Sequence, residues 1–124
     1  MSDYSALIAR LEAAEEGSRE MDCDIERTIP GARIRETDAD PSITVREPNE
    51  VGLHWEAPDC VGNVSVPHYT TSIDAALPDE QIVHVRQMSD GTWWARDNRQ
   101  PEGTGMVGRT EALARRCAAL RARS

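Results

Sequence analysis

The sequence has no lysine, no phenylalanine and few aromatic residues of any kind. All 14 basic residues among the 124 are arginines, and aromatic side chains make up only 4% of the chain. A chain of this length fits one domain, 1–124, whose core must rely on aliphatic residues and three tryptophans. Because so small a core often finishes burying its apolar surface against a second copy, we expect a homo-oligomer.

The exclusive use of arginine has two readings. Arginine suits the recognition of phosphates and carboxylates, because its planar group donates two parallel hydrogen bonds. The arginines are nevertheless scattered along the sequence, as on a solvated surface. A GC-rich genome that replaces lysine codons is therefore the simpler explanation.

Acidic residues outnumber the arginines and are unevenly placed. The net charge is −8, and residues 1–62 carry 15 acids and 6 arginines, while residues 63–124 carry 7 acids and 8 arginines. Duplex binding needs cations that neutralise phosphates, so we expect no direct binding to nucleic acid. The acidic half either imitates nucleic acid on the surface of a basic protein or only keeps the chain in solution.

Cysteines are few, and the chain has no signal peptide and no apolar run of membrane length. Cys23, Cys60 and Cys117 are an odd number at wide spacing, which favours free thiols in a reducing cytoplasm. We therefore expect no membrane association. Cys117 falls on the apolar face of the last helix and is predicted to lie in the core.

The periodicity of apolar residues predicts helices at both ends and strands between them. In the first half we predict a helix over 4–16 capped by Ser2 or Asp3, a helix over 19–29 capped by Ser18, an exposed connection over 33–41, and a hairpin of strands 42–47 and 51–56. In the second half we predict a strand over 64–66, a short helix from Thr71 or Ser72 to Ala76, a hairpin of strands 81–88 and 92–97, a loop over 98–108, and a final helix capped by Thr110.

This order predicts the α+β class. We expect an α-β-α layered sandwich with a small, mostly antiparallel sheet and a C-terminal helix. In the strand over 81–88, alternation places Val83 and Val85 on one face and His84 and Arg86 on the other. In the last helix the predicted inner stripe is Leu113, Cys117 and Leu120, and the arginines predicted to lie outward or near its end are Arg115, Arg116, Arg121 and Arg123.

Several segments together resemble the small phage proteins of the phage ABA-sandwich domain family. They are SALIARLEAA at 5–14, SREMDCDI at 18–25, PHYTTSIDAA at 67–76, the pair Trp93-Trp94, and the Ala/Leu helix after Thr110. The acidic middle, 32–49, has no counterpart in that pattern. The resemblance implies an α–β–α sandwich and a phage or prophage origin, hence the cytoplasm of an infected bacterial host. It implies no catalytic residue.

Three motifs with possible chemistry carry little weight. Residues 103–108 spell GxGxxG, but a dinucleotide fold needs a further strand and the chain ends 16 residues later. A weaker possibility is an anion held by Arg109 and the N–H groups that open the last helix, and a plain flexible loop is the alternative. The histidines and Cys60 show no metal-binding spacing, and no nucleophile lies in a recognisable elbow. We therefore predict no enzyme, no metal and no cofactor.

Adjacent tryptophans on one strand point to opposite faces of the sheet. Trp94 shares its face with Arg96, so an aromatic ring that stacks a base would lie beside an arginine that pairs with a phosphate. The alternative is a tryptophan buried beneath a helix, with arginine stems covering it. The residues predicted to bind a ligand are Tyr69, Thr71, Arg86, Trp94 and Arg96.

These observations lead to two hypotheses of function. The first is a phage-encoded, non-enzymatic anti-defence protein that sequesters a nucleotide-derived immune signal. The alternative is an acidic inhibitor, a nucleic-acid mimic that docks on a host defence protein. In the first the arginines and Trp94 matter, and in the second the acids of the N-terminal half do.

Overall fold

The computed structural model describes residues 4–46 and 48–123 and confirms the predicted α+β class. The proposed caps Ser2 and Asp3 lie outside the described residues. In chain order the elements are α1 (Ser5–Ala13), α2 (Arg19–Glu26), α3 (Arg33–Ala39), β1 (Thr44–Val45), β2 (Gly52–Glu56), β3 (Val61–Ser65), β4 (Ile82–Gln87), β5 (Trp93–Asp97), β6 (Met106–Gly108) and α4 (Glu111–Arg123). The strands form two antiparallel three-stranded sheets, β1-β2-β3 and β4-β5-β6.

The backbone divides into two compact units. The first unit comprises the residues up to Gly17 and those from Tyr69 onward, and the second unit comprises Ser18–His68. The first contains α1, α4 and the sheet β4-β5-β6, and the second contains α2, α3 and the sheet β1-β2-β3. The single domain over 1–124 stays a prediction.

The core of the first unit lies between α4 and one face of its sheet. Ala95 of β5 packs with Ala114 and Ala118 of α4, and Trp93 and Val85 lie against this cluster. The predicted stripe of Leu113, Cys117 and Leu120 is fully buried. The predicted cap is also confirmed, because the Leu113 N–H donates to Thr110 Oγ1 at 3.2 Å.

The prediction that Arg116 faces outward is wrong. Its side chain is 0% exposed, and its Nη1 donates to both carboxylate oxygens of Glu80, at 2.9 and 2.8 Å. Its other nitrogens donate to the carbonyl oxygens of Tyr69, at 3.1 Å, and of Ile73, at 2.6 Å. The guanidinium is buried because these acceptors replace the water it would lose.

The short helix predicted from Thr71 or Ser72 to Ala76 is absent, and the segment forms turns instead. A helix would use the carbonyls of its first turn as acceptors for its own N–H groups. Here the carbonyls of Ser72 and Ile73 accept hydrogen bonds from Arg116. The segment is therefore held by a distant side chain, which local capping signals do not reveal.

Two further predictions in the first unit need correction. The pairing of β4 with β5 shifts between Ile82 and His84, so Ile82 and Val85 face the core and Val83 is 53% exposed. A bulge of this kind breaks the alternation on which the prediction rested. The predicted loop over 98–108 also contains β6, which pairs with β5 as a third strand.

The second unit confirms the hairpin and the cap of its first helix. The Met21 N–H donates to Ser18 Oγ at 3.1 Å, and β1 pairs with β2 in the register Thr44 to Glu56. The strand predicted at 64–66 forms as Val61–Ser65. The exposed connection predicted over 33–41 is wrong, because α3 forms there and buries Ile34. One buried apolar residue is too weak a periodic signal to predict a helix.

The three cysteines differ in access, and this gives a first prediction. Cys23 and Cys117 are buried and Cys60 is exposed. Burial raises the pKa of Cys23, and burial raises the pKa of Cys117 to about 12, which keeps both as unreactive thiols near neutral pH. A thiol-specific chromogenic reagent should therefore label Cys60 alone in the native protein and all three cysteines after denaturation. Rapid labelling of a second cysteine under native conditions would contradict the structure.

Among the described residues, no helix has the length and apolar content needed to cross a membrane.

Candidate functional site

The candidate site is the outer face of the sheet β4-β5-β6, the face opposite α4. Along β5, Trp93 and Ala95 point toward α4, so Trp94 and Arg96 point away from it. Arg86 of β4 pairs with Trp94, and His84 pairs with Arg96. These four side chains form a two-by-two array, which we call the outer face.

Trp94 is at the centre of the contacts in this array. The guanidinium carbon of Arg86 lies 5.4 Å from the centroid of the Trp94 ring, within the range of a cation–π interaction. The His84 ring meets Trp94 edge to face, with centroids 5.1 Å apart and an interplanar angle of 85°. The array is therefore in contact with itself, and a ligand would meet a preformed surface.

The outer face is positively charged. Neither Arg86 nor Arg96 has an ion pair with a carboxylate among residues 4–46 and 48–123. Arg96 Nη1 donates to the carbonyl oxygen of Gln100 at 3.0 Å, which fixes the side chain and leaves its other N–H groups without an acceptor in the described part of the chain. Two arginines without acidic partners on one sheet face favour an anionic ligand.

The loop before β6 covers part of the Trp94 indole. A Cβ atom at Gly105 would overlap the indole ring, so only glycine allows the backbone to approach this closely. Gly103 has φ +83°, which favours glycine, and Gly108 lies against the backbone of α4. Gly105 and Gly108 of the GxGxxG motif thus serve close packing, and Gly103 serves the backbone turn. The half-buried Trp94 is therefore covered by the loop that contains Gly105, and not by a helix as in the alternative from the sequence.

The outer face contains three of the five predicted ligand-binding residues. Tyr69 is 3% exposed, and its carbonyl oxygen accepts from Arg116. Thr71 is exposed and lines a cavity of about 240 Å³ together with Thr110 and Ala112, at the start of α4. Since α4 packs on the opposite side of the sheet, Tyr69 and Thr71 lie away from the outer face.

A buried carboxylate positions the strand end that carries Arg96. Asp97 follows Arg96 on the inner face, and its two oxygens accept from the Gln81 N–H at 2.9 Å and from Arg99 at 2.8 Å. The Asp97 N–H donates to Gln100 Oε1 at 2.9 Å. The turn is thereby closed, and it presents the Gln100 carbonyl to Arg96. Sequence analysis missed Gln100, because its role depends on this turn.

Asp97 gives a second prediction, on pH dependence. Burial alone would raise the pKa of Asp97, but hydrogen bonds from Arg99 and Gln81 outweigh it and hold the pKa below its usual range. A lowered pKa adds stability above the pKa of the unfolded chain, about 4, and this stability disappears as the pH falls through the folded-state value. Urea unfolding should show that Asp97→Asn lowers the free energy of unfolding at pH 7, and that this difference from the wild type shrinks below about pH 4. A difference in the free energy of unfolding that does not change with pH would contradict the conclusion that Asp97 stabilises the fold as an ionised carboxylate.

The start of α4 does not favour the weaker anion site we considered there. Thr110 Oγ1 already accepts the Leu113 N–H, and the first helical residue, Glu111, places a carboxylate in the first turn. Its charge would repel an anion at this position. Arg109 is exposed and lies outside the outer face's array. Among the described residues, no group of three or more His, Cys, Asp or Glu side chains can hold a metal ion.

Comparisons with known proteins found no match among protein families, curated proteins or solved structures. The likeness to the phage ABA-sandwich family therefore stays an expectation from the residues alone.

Proposed function

We propose that this chain is a non-enzymatic binding protein whose outer face sequesters a small nucleotide-type ligand. The proposal is supported by the pair Arg86 and Arg96, which flank Trp94 and have no carboxylate partner among the residues that the structure describes. Arginines pair with phosphate oxygens through charge-assisted hydrogen bonds, each worth about 1.5–3 kcal/mol. The half-buried indole and its neighbour His84 offer aromatic surface to a base.

The biological setting that we propose for this chain is phage infection, in which it would act as a phage-encoded anti-defence protein in the cytoplasm of the bacterial host. Its support is the resemblance of the segments at 5–14 and 67–76 to small phage proteins. The ligand would then be a nucleotide-derived immune signal, because such a signal combines phosphates with bases. Sequestration needs binding alone, which agrees with a site built from arginines and aromatic rings.

The purified protein can be tested for a captured ligand. Protein expressed during a phage-defence response would be heat-denatured, and the released small molecules would be identified by mass spectrometry. We expect a nucleotide from the wild type and none from Arg96→Gln, with Arg109→Gln as the matched control that retains it. Release of a nucleotide from all three proteins, or turnover of the nucleotide by the wild type, would contradict the proposal.

We also propose a homo-oligomer. Its support is the exposure of Val83 and Val107, which lie on the two edge strands of the sheet β4-β5-β6. Light scattering at high micromolar concentration should give a mass of at least twice 13.7 kDa. A monomer under these conditions would contradict this part of the proposal.

The charge of the second unit favours a second candidate, an acidic inhibitor that docks on a basic host protein. Ser18–His68 carries 11 acidic residues and 5 arginines, and Arg19, Arg27 and Arg46 are already paired with its own carboxylates. Not every acid is available, because Asp22 is buried against Arg19 at 2.6 Å. Binding of this kind would weaken strongly with salt and would be weakened by Glu36→Lys, whereas Arg96→Gln would leave it intact.

A further inference from the structure

The second unit contains a groove of about 320 Å³ between α3 and the strands β2 and β3. Trp55, Ile43 and Val64 line it with apolar surface. A Cβ atom at Gly62 would overlap the Trp55 ring, so the indole lies directly on the backbone of β3. The indole is thus held in place by a neighbouring strand and forms a preset part of the groove wall.

Two carboxylates and one arginine line the same groove. Glu36 and Asp40 are one helical turn apart and both are exposed, and Arg33 lies one turn before Glu36. In the described part of the chain, Glu36 and Arg33 have no ion pair. Asp40 Oδ1 accepts from Ser42, and these hydrogen bonds lower the pKa of Asp40 and keep it ionised.

The chemistry of the groove points to a cation on an apolar stem. Its own charges sum to a net negative value, and the whole unit carries the excess of acids described above, so an anionic ligand would be repelled. An arginine or lysine side chain places methylene groups on Trp55 and Ile43 and its charge beside Glu36 and Asp40. A volume of about 320 Å³ admits one such side chain with its adjoining backbone.

We propose that this groove binds an arginine or lysine side chain from a basic segment of a partner protein. The proposal rests on the second candidate function, because the groove is the place where an acidic inhibitor would bind its target. Arg33 limits the affinity, since its charge lies in the same groove as that of the incoming side chain. The outer face belongs to the first unit, and none of its four residues lines this groove.

The test uses the full chain and a fluorescein-labelled peptide of alternating arginine and glycine. Fluorescence anisotropy should show saturable binding that Glu36→Gln weakens by about two- to five-fold and that Arg33→Gln strengthens by a similar factor. Glu50→Gln is the matched control, because Glu50 is an exposed acid of the same unit outside the groove. It should change the affinity by less than about two-fold. A peptide of alternating glutamate and glycine should not bind.

The variants separate the possible failures. Equal weakening by Glu36→Gln and Glu50→Gln would overturn the groove and leave a diffuse acidic surface, so the second candidate function would survive. No saturable binding of the arginine peptide would overturn both. Trp55→Leu should also weaken binding of the arginine peptide, and unchanged binding by this variant would overturn the groove. Glu36→Gln should keep the unfolding temperature of the wild type, so that its weaker binding reports the lost charge.

Discussion

Arg116→Met is expected to lower the free energy of unfolding by about 3–5 kcal/mol, the cost of breaking a buried ion pair from one side. The substitution leaves the Glu80 carboxylate, whose side chain is 4% exposed, without its cation. It also removes the donors to the carbonyl oxygens of Tyr69, Ser72 and Ile73. Since most domains are stable by only about 5–15 kcal/mol, this loss would remove a large fraction of the total stability.

Arg115→Met is the matched control on the same helix. Arg115 pairs with Glu111 one turn away, and both side chains are partly exposed, so its loss should cost at most about 1 kcal/mol. Burial raises the pKa of Glu80, and without Arg116 that pKa should rise further. The loss in Arg116→Met should therefore shrink as the pH falls from neutral to about 4, because Glu80 becomes protonated over this range in both proteins. Equal losses in the two variants by urea titration would contradict a buried role for Arg116.

Arg86→Gln and Arg96→Gln are each expected to weaken binding of a nucleotide-type ligand by about ten-fold or more. Each removes a charged donor to phosphate, worth about 1.5–3 kcal/mol, and each factor of ten corresponds to about 1.4 kcal/mol. Both side chains lie on the sheet surface, and Arg96 loses only its hydrogen bond to Gln100. The folded structure should therefore be retained in both variants, which thermal unfolding can check.

The control for this series is Arg109→Gln, an exposed arginine of the same unit outside the array. Isothermal titration calorimetry would use nucleoside monophosphates, a cyclic dinucleotide and inorganic phosphate as ligands. The Arg86 and Arg96 variants should bind them more weakly than the wild type, and the affinity of Arg109→Gln should change little. A loss at Arg109 alone would instead point to the start of α4. Inorganic phosphate should bind more weakly than the nucleotides, because it has no ring to place beside Trp94.

Local signals in the sequence were sufficient where the interacting residues are near one another in the chain. The caps Ser18 and Thr110 were predicted because a hydroxyl precedes an apolar stripe by a few residues. The hairpin of strands 81–88 and 92–97 was also predicted, and Gly91 in its turn has φ +91°, which favours glycine.

Long-range contacts account for what the sequence did not predict. The acceptors of Arg116 lie 36 to 47 residues away, so its position on the helix did not reveal its burial. The bulge at Val83 is set by the pairing of β4 with β5, and α3 buries Ile34 and Thr37. Pattern and propensity do not specify such contacts.

The part of the candidate site that depends on local strand alternation was predictable from the sequence. Arg86, Trp94 and Arg96 share a face because strands alternate, and the bulge lies before His84 and so leaves their phase unchanged. The placement of Tyr69 and Thr71 was not predictable, because the path of that segment depends on Arg116. The role of Gly105 beside Trp94 also depends on a loop whose course the sequence does not define.

The most direct test of the central claim is nuclear magnetic resonance of the ¹⁵N-labelled protein during titration with a nucleotide. The three tryptophans give three separate indole N–H signals, those of Trp55, Trp93 and Trp94. If the outer face binds the ligand, the Trp94 indole and the Nε–H groups of Arg86 and Arg96 should shift in a saturable way while Trp55 stays unchanged. Shifts confined to Trp55, or no shift with a panel of nucleotides at about 1 mM, would contradict the claim.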